Sequence, residues 1–113
     1  SRTLQAVRDV ERILDDMVRV GRRCVVTFPN FAYHKLRRVL YEQGRAPRSG
    51  GVLHHPWYNT PNIRFFSILD FEEFCAIKGY HIHRRVAMNI EAGAIVADQP
   101  NRNADLAIFV ISR

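Results

Sequence analysis

Between a Gly-Arg-Arg lead and a Pro-Asn stop, residues 24–28 read Cys-Val-Val-Thr-Phe, an apolar, β-branched run without interruption. Such a run, short and with no polar alternation, reads as a strand buried on both faces, the usual state in parallel α/β sheets. Pro29 ends it because proline has no N–H for the ladder, and Asn30 suits a turn or a helix N-cap. In an open α/β sheet, ligands bind at the loops leaving the C-terminal ends of strands. Pro29, Asn30 and Phe31 are therefore the first candidate contact residues.

The rest of the chain can be placed around this strand. Upstream, Leu4, Val7, Val10, Ile13, Leu14, Met17 and Val18 recur at spacings of three and four and mark one apolar helical face. Asp9 as N-cap and Gly21 as the C′ residue put the helix at 9–20. The chain begins with Ser1, not Met, and enters this helix almost at once. It reads as a fragment, half of a β-α-β unit whose first strand is missing.

Downstream, Asn30 is expected to cap a second helix over 31–41 that ends near Gln43, with Gly44 as left-handed cap. Leu36, Val39 and Leu40 form its apolar stripe. From 45 to 62 the periodicity disappears and Pro47, Gly50, Gly51, Pro56 and Pro61 punctuate a long connection. Connections of that length are usually functional or disordered. This one carries His54, His55, Trp57, Tyr58 and Asn59, too aromatic for a mere linker, and is expected to dock on the body of the domain.

Residues 63–66 read as extended. Ser67 with Asp70 forms a capping-box start for a third helix. Its buried face is Phe71, Phe74, Cys75 and Ile77, and Gly79 closes it. A strand over 80–88, a variable loop over 89–103 and a last strand over 106–111 complete one domain, 1–113, with an aromatic loop insertion at 45–62.

Composition narrows the functions. No apolar run approaches the roughly 20 residues needed to span a bilayer, and there is no signal-peptide core, so the cytoplasm is the default compartment. Cys24 and Cys75 lack metal-ligand spacing and read as core thiols. Net charge is +6, with Arg22-Arg23, Arg37-Arg38 and Arg84-Arg85 as doublets. These are scattered over several elements without a recognition motif. A basic nucleic-acid-binding module is therefore disfavoured against a basic surface or a patch for an acidic protein partner.

The element order resembles the C-terminal half of a class I, S-adenosylmethionine-dependent methyltransferase domain. In that Rossmann-like sheet the last strand inserts antiparallel between the two before it, with helices packed on the sheet. More specifically, the chain resembles the methionine biosynthesis protein MetW family. The residues that carry this are Thr3-Leu4-Gln5, the 17–23 stretch Met-Val-Arg-Val-Gly-Arg-Arg, and Val26-Thr27-Phe28-Pro29-Asn30-Phe31. They continue in Trp57-Tyr58-Asn59-Thr60-Pro61-Asn62-Ile63 and Asp70-Phe71-Glu72-Glu73-Phe74-Cys75. The resemblance covers nearly all of this chain and about the second half of the family's domain, but 89–105 matches poorly.

It implies a protein of bacterial methionine biosynthesis that works through contact with homoserine O-acyltransferase. The alternative it implies is a methyltransferase whose cofactor-binding N-terminal half is absent here. S-Adenosylmethionine belongs to the complete domain and no cofactor is assigned to this chain, which has no Gly-x-Gly and no glycine loop after a strand.

Candidate chemistry in the residues themselves is sparse. His81 and His83 share a strand face but have no third ligand nearby, so they read as solvent-facing and no metal is assigned. Glu72 and Glu73 are adjacent on a helix and do not face each other. No catalytic residue is assigned. The constellation of interest is Pro29, Asn30 and Phe31 with His55, Trp57, Tyr58 and Asn59. It can form a small-molecule pocket, a cover over the sheet end, or a protein-contact hot spot. Loss of the upstream strand would leave one edge of 24–28 unpaired and charge-free, from which self-association is expected.

Overall fold

β1 (Cys24–Pro29) forms where the apolar run predicts a strand. The structure, a computed structural model, describes residues 9–56, 58–60 and 64–113. The expectations placed on Thr3, Leu4, Gln5, Val7, Trp57, Pro61, Asn62 and Ile63 lie outside the described residues.

Around β1 the elements run α1 (Val10–Val20), α2 (His34–Arg38) continued by a π-helical turn (Val39–Gln43), and α3 (Ile68–Lys78). Then come β2 (His81–Asn89), β3 (Ala94–Ile95), α4 (Pro100–Asn103) and β4 (Leu106–Ser112). Among the described residues four strands form one sheet in the order β1-β4-β2-β3. Every pairing is antiparallel, so β1 and β2 run in the same direction with β4 reversed between them.

This corrects one expectation. Cys24, Val26 and Phe28 share a face with Ile111, Phe109 and Ala107 and are buried, but Val25, on the other face, is 45% exposed. The cause is the layer arrangement: α1 and α3 supply the core through Leu14, Val18, Ile68, Phe71 and Cys75, all against that one face. Phe28 is at its centre, with ring centroids 4.6 Å from Phe66, 5.1 Å from Phe71 and 5.7 Å from Phe109. The continuity of the run follows from β-propensity rather than from burial on two sides.

Local signals worked well at helix ends. The Asp9 carboxylate accepts from the Arg12 amide and starts α1. Gly21 ends it in extended backbone, not in the left-handed conformation of a C′ glycine; its amide donates to the Met17 carbonyl. At α3 the capping box is complete: the Asp70 amide donates to Ser67 Oγ, and the Ser67 amide donates to Asp70 Oδ2. Gly79 closes α3 and Gly44 closes the π-helical turn, both left-handed as the sequence predicts. Ile77 is 75% exposed, and Ile68 takes the buried place expected of it.

Between 89 and 103, expected to be a loop, the chain makes a turn, pairs β3 with the end of β2, and folds the short α4. β2 also carries an irregularity at His83, between Ile82 and Arg84, where one residue has no opposite partner on β4. The stretch after residue 63 does not join the sheet; the Phe31 amide donates to the Phe66 carbonyl instead. Among the described residues no helix is long and apolar enough to cross a membrane.

Candidate functional site

The connections that leave β1, join the loop before α3, and link β2 to β4 converge at one end of the sheet. Asn30 sits at their junction, with no exposed surface. Its amide nitrogen donates to the carbonyls of Asn101 at 2.9 Å and Ala104 at 2.8 Å. Its Oδ1 accepts from the amides of Ala32 and Ile68, both at 3.2 Å. The Asn30 amide group thus ties the exit of β1 to the first turn of α3 and to α4. The helix it was expected to cap begins later, with Tyr33 as N-cap residue. Both N–H donors and two lone pairs are used within the chain, so Asn30 is frame and not a hand extended to a ligand.

Beside it lies a second polar group that sequence reasoning missed. The buried Tyr33 hydroxyl donates to Glu91 Oε2 at 3.3 Å and accepts from Asn89 Nδ2 at 3.1 Å. Lys35 Nζ lies 2.7 Å from Glu91 Oε1. This bond holds the Glu91 carboxyl below the usual carboxylate range and raises the Lys35 ammonium above its ordinary value. The buried Asp105 accepts from the amides of Ile90 at 2.8 Å and Glu91 at 3.4 Å, fixing the turn after β2. Gly51 passes so close that a Cβ there would come within 2.5 Å of Asp105 Oδ2. The available sequence signal was an acidic residue directly before an apolar strand, and a carboxylate buried there needs hydrogen-bond donors.

The aromatic loop docks on this end through its first half. Leu53 is buried with Tyr33 and Leu36, and Phe31 and Val52 pack against them. Phe31 also meets Phe65 edge-on, with ring centroids 4.9 Å apart. Pro29 is buried at the end of β1 opposite Leu106.

Of the described loop residues beyond Leu53, His54, Tyr58 and Asn59 are exposed. His54 Nδ1 lies 3.0 Å from the Gly51 carbonyl, and the half-buried His55 has its ring centroid 4.2 Å from that of His54. Asn59 is exposed, and its amide donates to the Pro56 carbonyl. Tyr58 is 75% exposed and, with Val39, Gln43, Arg45, Ala46, Arg48 and Pro56, lines an open cleft of about 610 Å³. Pro29, Asn30 and Phe31 are not among its walls, so Tyr58 and the exit of β1 do not share this cleft.

His81 and His83 do meet, with ring centroids 4.5 Å apart, and His83 Nε2 lies 2.7 Å from Ser112 Oγ. Burial and the Arg23 and His81 charges lower the His83 pKa. Among the described residues no three His, Cys, Asp or Glu side chains are placed to share a metal ion. Both cysteines are free and buried, and burial pushes the Cys75 thiol up to about 11. Tyr58, Arg45 and Arg48 thus line one open cleft, while the polar groups around Asn30, Tyr33 and Asp105 satisfy one another.

Compared with known proteins, the family described as methionine biosynthesis protein MetW matches the chain over residues 1–111. The chain is 38% identical over 113 residues to the bifunctional methionine biosynthesis protein MetXA/MetW of Rhodopirellula baltica. That alignment takes in 98% of this chain and 18% of the relative, so the chain spans less than a fifth of the relative's length. No solved structure matches the chain.

Proposed function

The chain belongs to the methionine biosynthesis protein MetW family, and from that premise we propose that it supports homoserine O-acyltransferase by direct contact. The observation that carries this reading is the relative in which a MetXA part and a MetW part share one polypeptide. Fusion holds two modules at high effective concentration, an arrangement with most to offer where the separate modules act together. The contact surface is the cleft lined by Tyr58, Arg45 and Arg48, a phenol and two arginines, the residue types that dominate interface hot spots. The reading places the protein in the cytoplasm with its partner.

The test is co-elution of the chain with purified homoserine O-acyltransferase, followed by titration calorimetry. We expect a complex, and a Tyr58→Ala, Arg45→Ala variant that binds at least tenfold more weakly while keeping its circular dichroism. Separate elution at micromolar concentration, with no change in acyltransferase rate, would refute the proposal.

A methyltransferase reading of the whole domain rests on one feature, β4 running antiparallel between two strands of common direction. This is the arrangement expected of the C-terminal half of that sheet. S-Adenosylmethionine would be held by the other half of the domain: these 113 residues contain no Gly-x-Gly, and Asn30 at the exit of β1 has its side-chain bonds taken. Calorimetric titration of the 113-residue chain is expected to show no saturable uptake of this cofactor. Methyl transfer by a longer form would favour the alternative.

A further inference from the structure

Residues of α2, α3, β2 and α4, with Gln99, line an open cleft of about 390 Å³. Arg37 comes from α2, Arg85 from β2 and Arg102 from α4, so three elements each bring an arginine to the lining of one cleft. Glu72 of α3 is the one carboxylate in the wall and is paired with Arg85 at 2.5 Å. Two of the three cations therefore have no carboxylate in the wall to neutralise them. Arg37 Nε donates to the Ala32 carbonyl and Arg102 donates to Asn103 Oδ1. Each anchor is a neutral oxygen, so neither bond neutralises the arginine's charge.

The floor is fixed. Asn101 receives the Asn30 amide on its carbonyl and the Leu69 amide on its Oδ1, so the α4 wall is held by two bonds to other elements. Gln99, at the edge of the cleft, has φ of 43°, the one non-glycine residue with positive φ among those described. Strain of this kind is kept where the surroundings over-determine it, and it clusters at binding sites. The positive field is also felt outside the cleft. His34 is lowered in pKa first by burial and then by the charges of Arg102, Arg38 and Lys35.

We infer that this cleft is a binding site for a small oxyanion-bearing molecule, held by the guanidinium groups of Arg37, Arg85 and Arg102 with Ile68, Leu69 and Pro100 against its carbon part. Arginine suits the task because its planar fork meets a carboxylate or phosphate through two parallel hydrogen bonds, which a lysine cannot do. An anion entering the cleft meets arginines of three elements and a single carboxylate that is already paired. The volume is that of a small ligand and not of a helix or strand of a partner. The inference stands apart from the acyltransferase reading, since it is tested on the chain alone.

The test is a ¹H–¹⁵N titration of the chain with inorganic phosphate and, separately, with succinate, sodium chloride being adjusted to hold ionic strength constant. Saturable shifts confined to Leu69, Asn101, Arg102 and the Arg37 and Arg85 side chains are expected. Saturation by one probe alone assigns the site to that kind of oxyanion. Arg102→Gln should weaken binding at least tenfold and Arg102→Lys nearly as much, whereas Arg12→Gln, on the exposed face of α1, should leave it unchanged. Shifts that stay linear with both probes, or equal weakening by Arg102→Gln and Arg12→Gln, would overturn the inference.

Discussion

Replacing Asn30 should be among the most damaging single changes in this chain. Asn30→Ala removes four hydrogen bonds at once, two of which end on fully buried groups, the Ile68 amide and the Ala104 carbonyl. A buried polar group left without a partner costs about 1–3 kcal/mol. The other two partners, the Ala32 amide and the Asn101 carbonyl, are part-buried and add less because water can reach them. The expected loss is about 3–5 kcal/mol, a large share of the roughly 5–15 kcal/mol that holds a small domain folded. In urea, with a slope of about 1–3 kcal/mol/M, the midpoint should fall by about 2 M, read by far-ultraviolet circular dichroism.

Asn30→Asp provides the sharper control. It keeps the acceptor for Ala32 and Ile68 but turns a carboxylate oxygen toward the carbonyls of Asn101 and Ala104, which disfavours the ionised form. The new acid then has a folded pKa above its unfolded value of about 4. Its penalty is therefore smallest below that value and grows as pH rises toward neutrality. Asn30→Ala should show no such extra pH dependence. A loss below about 1 kcal/mol for Asn30→Ala at unchanged slope, or parallel pH profiles for the two variants, would refute the reasoning.

Four other outcomes are expected. Gly51→Ala would set a Cβ 2.5 Å from Asp105 Oδ2, which two backbone amides hold in place, and should cost about 1–3 kcal/mol in urea unfolding. Hydrogen bonds from Tyr80 and Lys78 lower the Asp15 pKa, so this group adds stability above the ordinary carboxylate pKa that is lost as pH falls through the lowered one. Asp15→Asn should thus be less stable than the parent at neutral pH, with the gap closing on acidification in pH-dependent unfolding curves. Cys75, with no exposed surface and its thiol pushed up to about 11, should react with a disulfide reagent at pH 8 only in denaturant. Finally, β1 stands at the sheet edge with Val20 and Val25 exposed nearby, from which we propose self-association through this edge. Light scattering should show dimers at micromolar concentration that Val25→Lys weakens, and a stable parent monomer would reject it.

Elements whose signals are local were legible in the chain itself. Caps and periodicity depend on bonds between residues three or four apart, which is why the Asp9 start of α1, the Ser67–Asp70 box and the Gly44 and Gly79 stops were all predictable. The stretches at Phe28-Pro29-Asn30-Phe31 and Trp57-Tyr58 also carried the family resemblance, because a rare order of residue types needs no geometry to be recognised. What the tertiary structure alone decided is which polar groups meet.

Asn30 bonds to residues 38, 71 and 74 positions away, and Tyr33 to residues 56 and 58 positions away; no short-range pattern encodes such separations. The same holds for β1, where a continuous apolar run is compatible with two covered faces or one. Only the packing of α1 and α3 together on one side left Val25 in solvent. Hydrogen bonds and burial are satisfied in three dimensions, so a side chain's role as frame or as ligand contact is settled by what the fold brings to it.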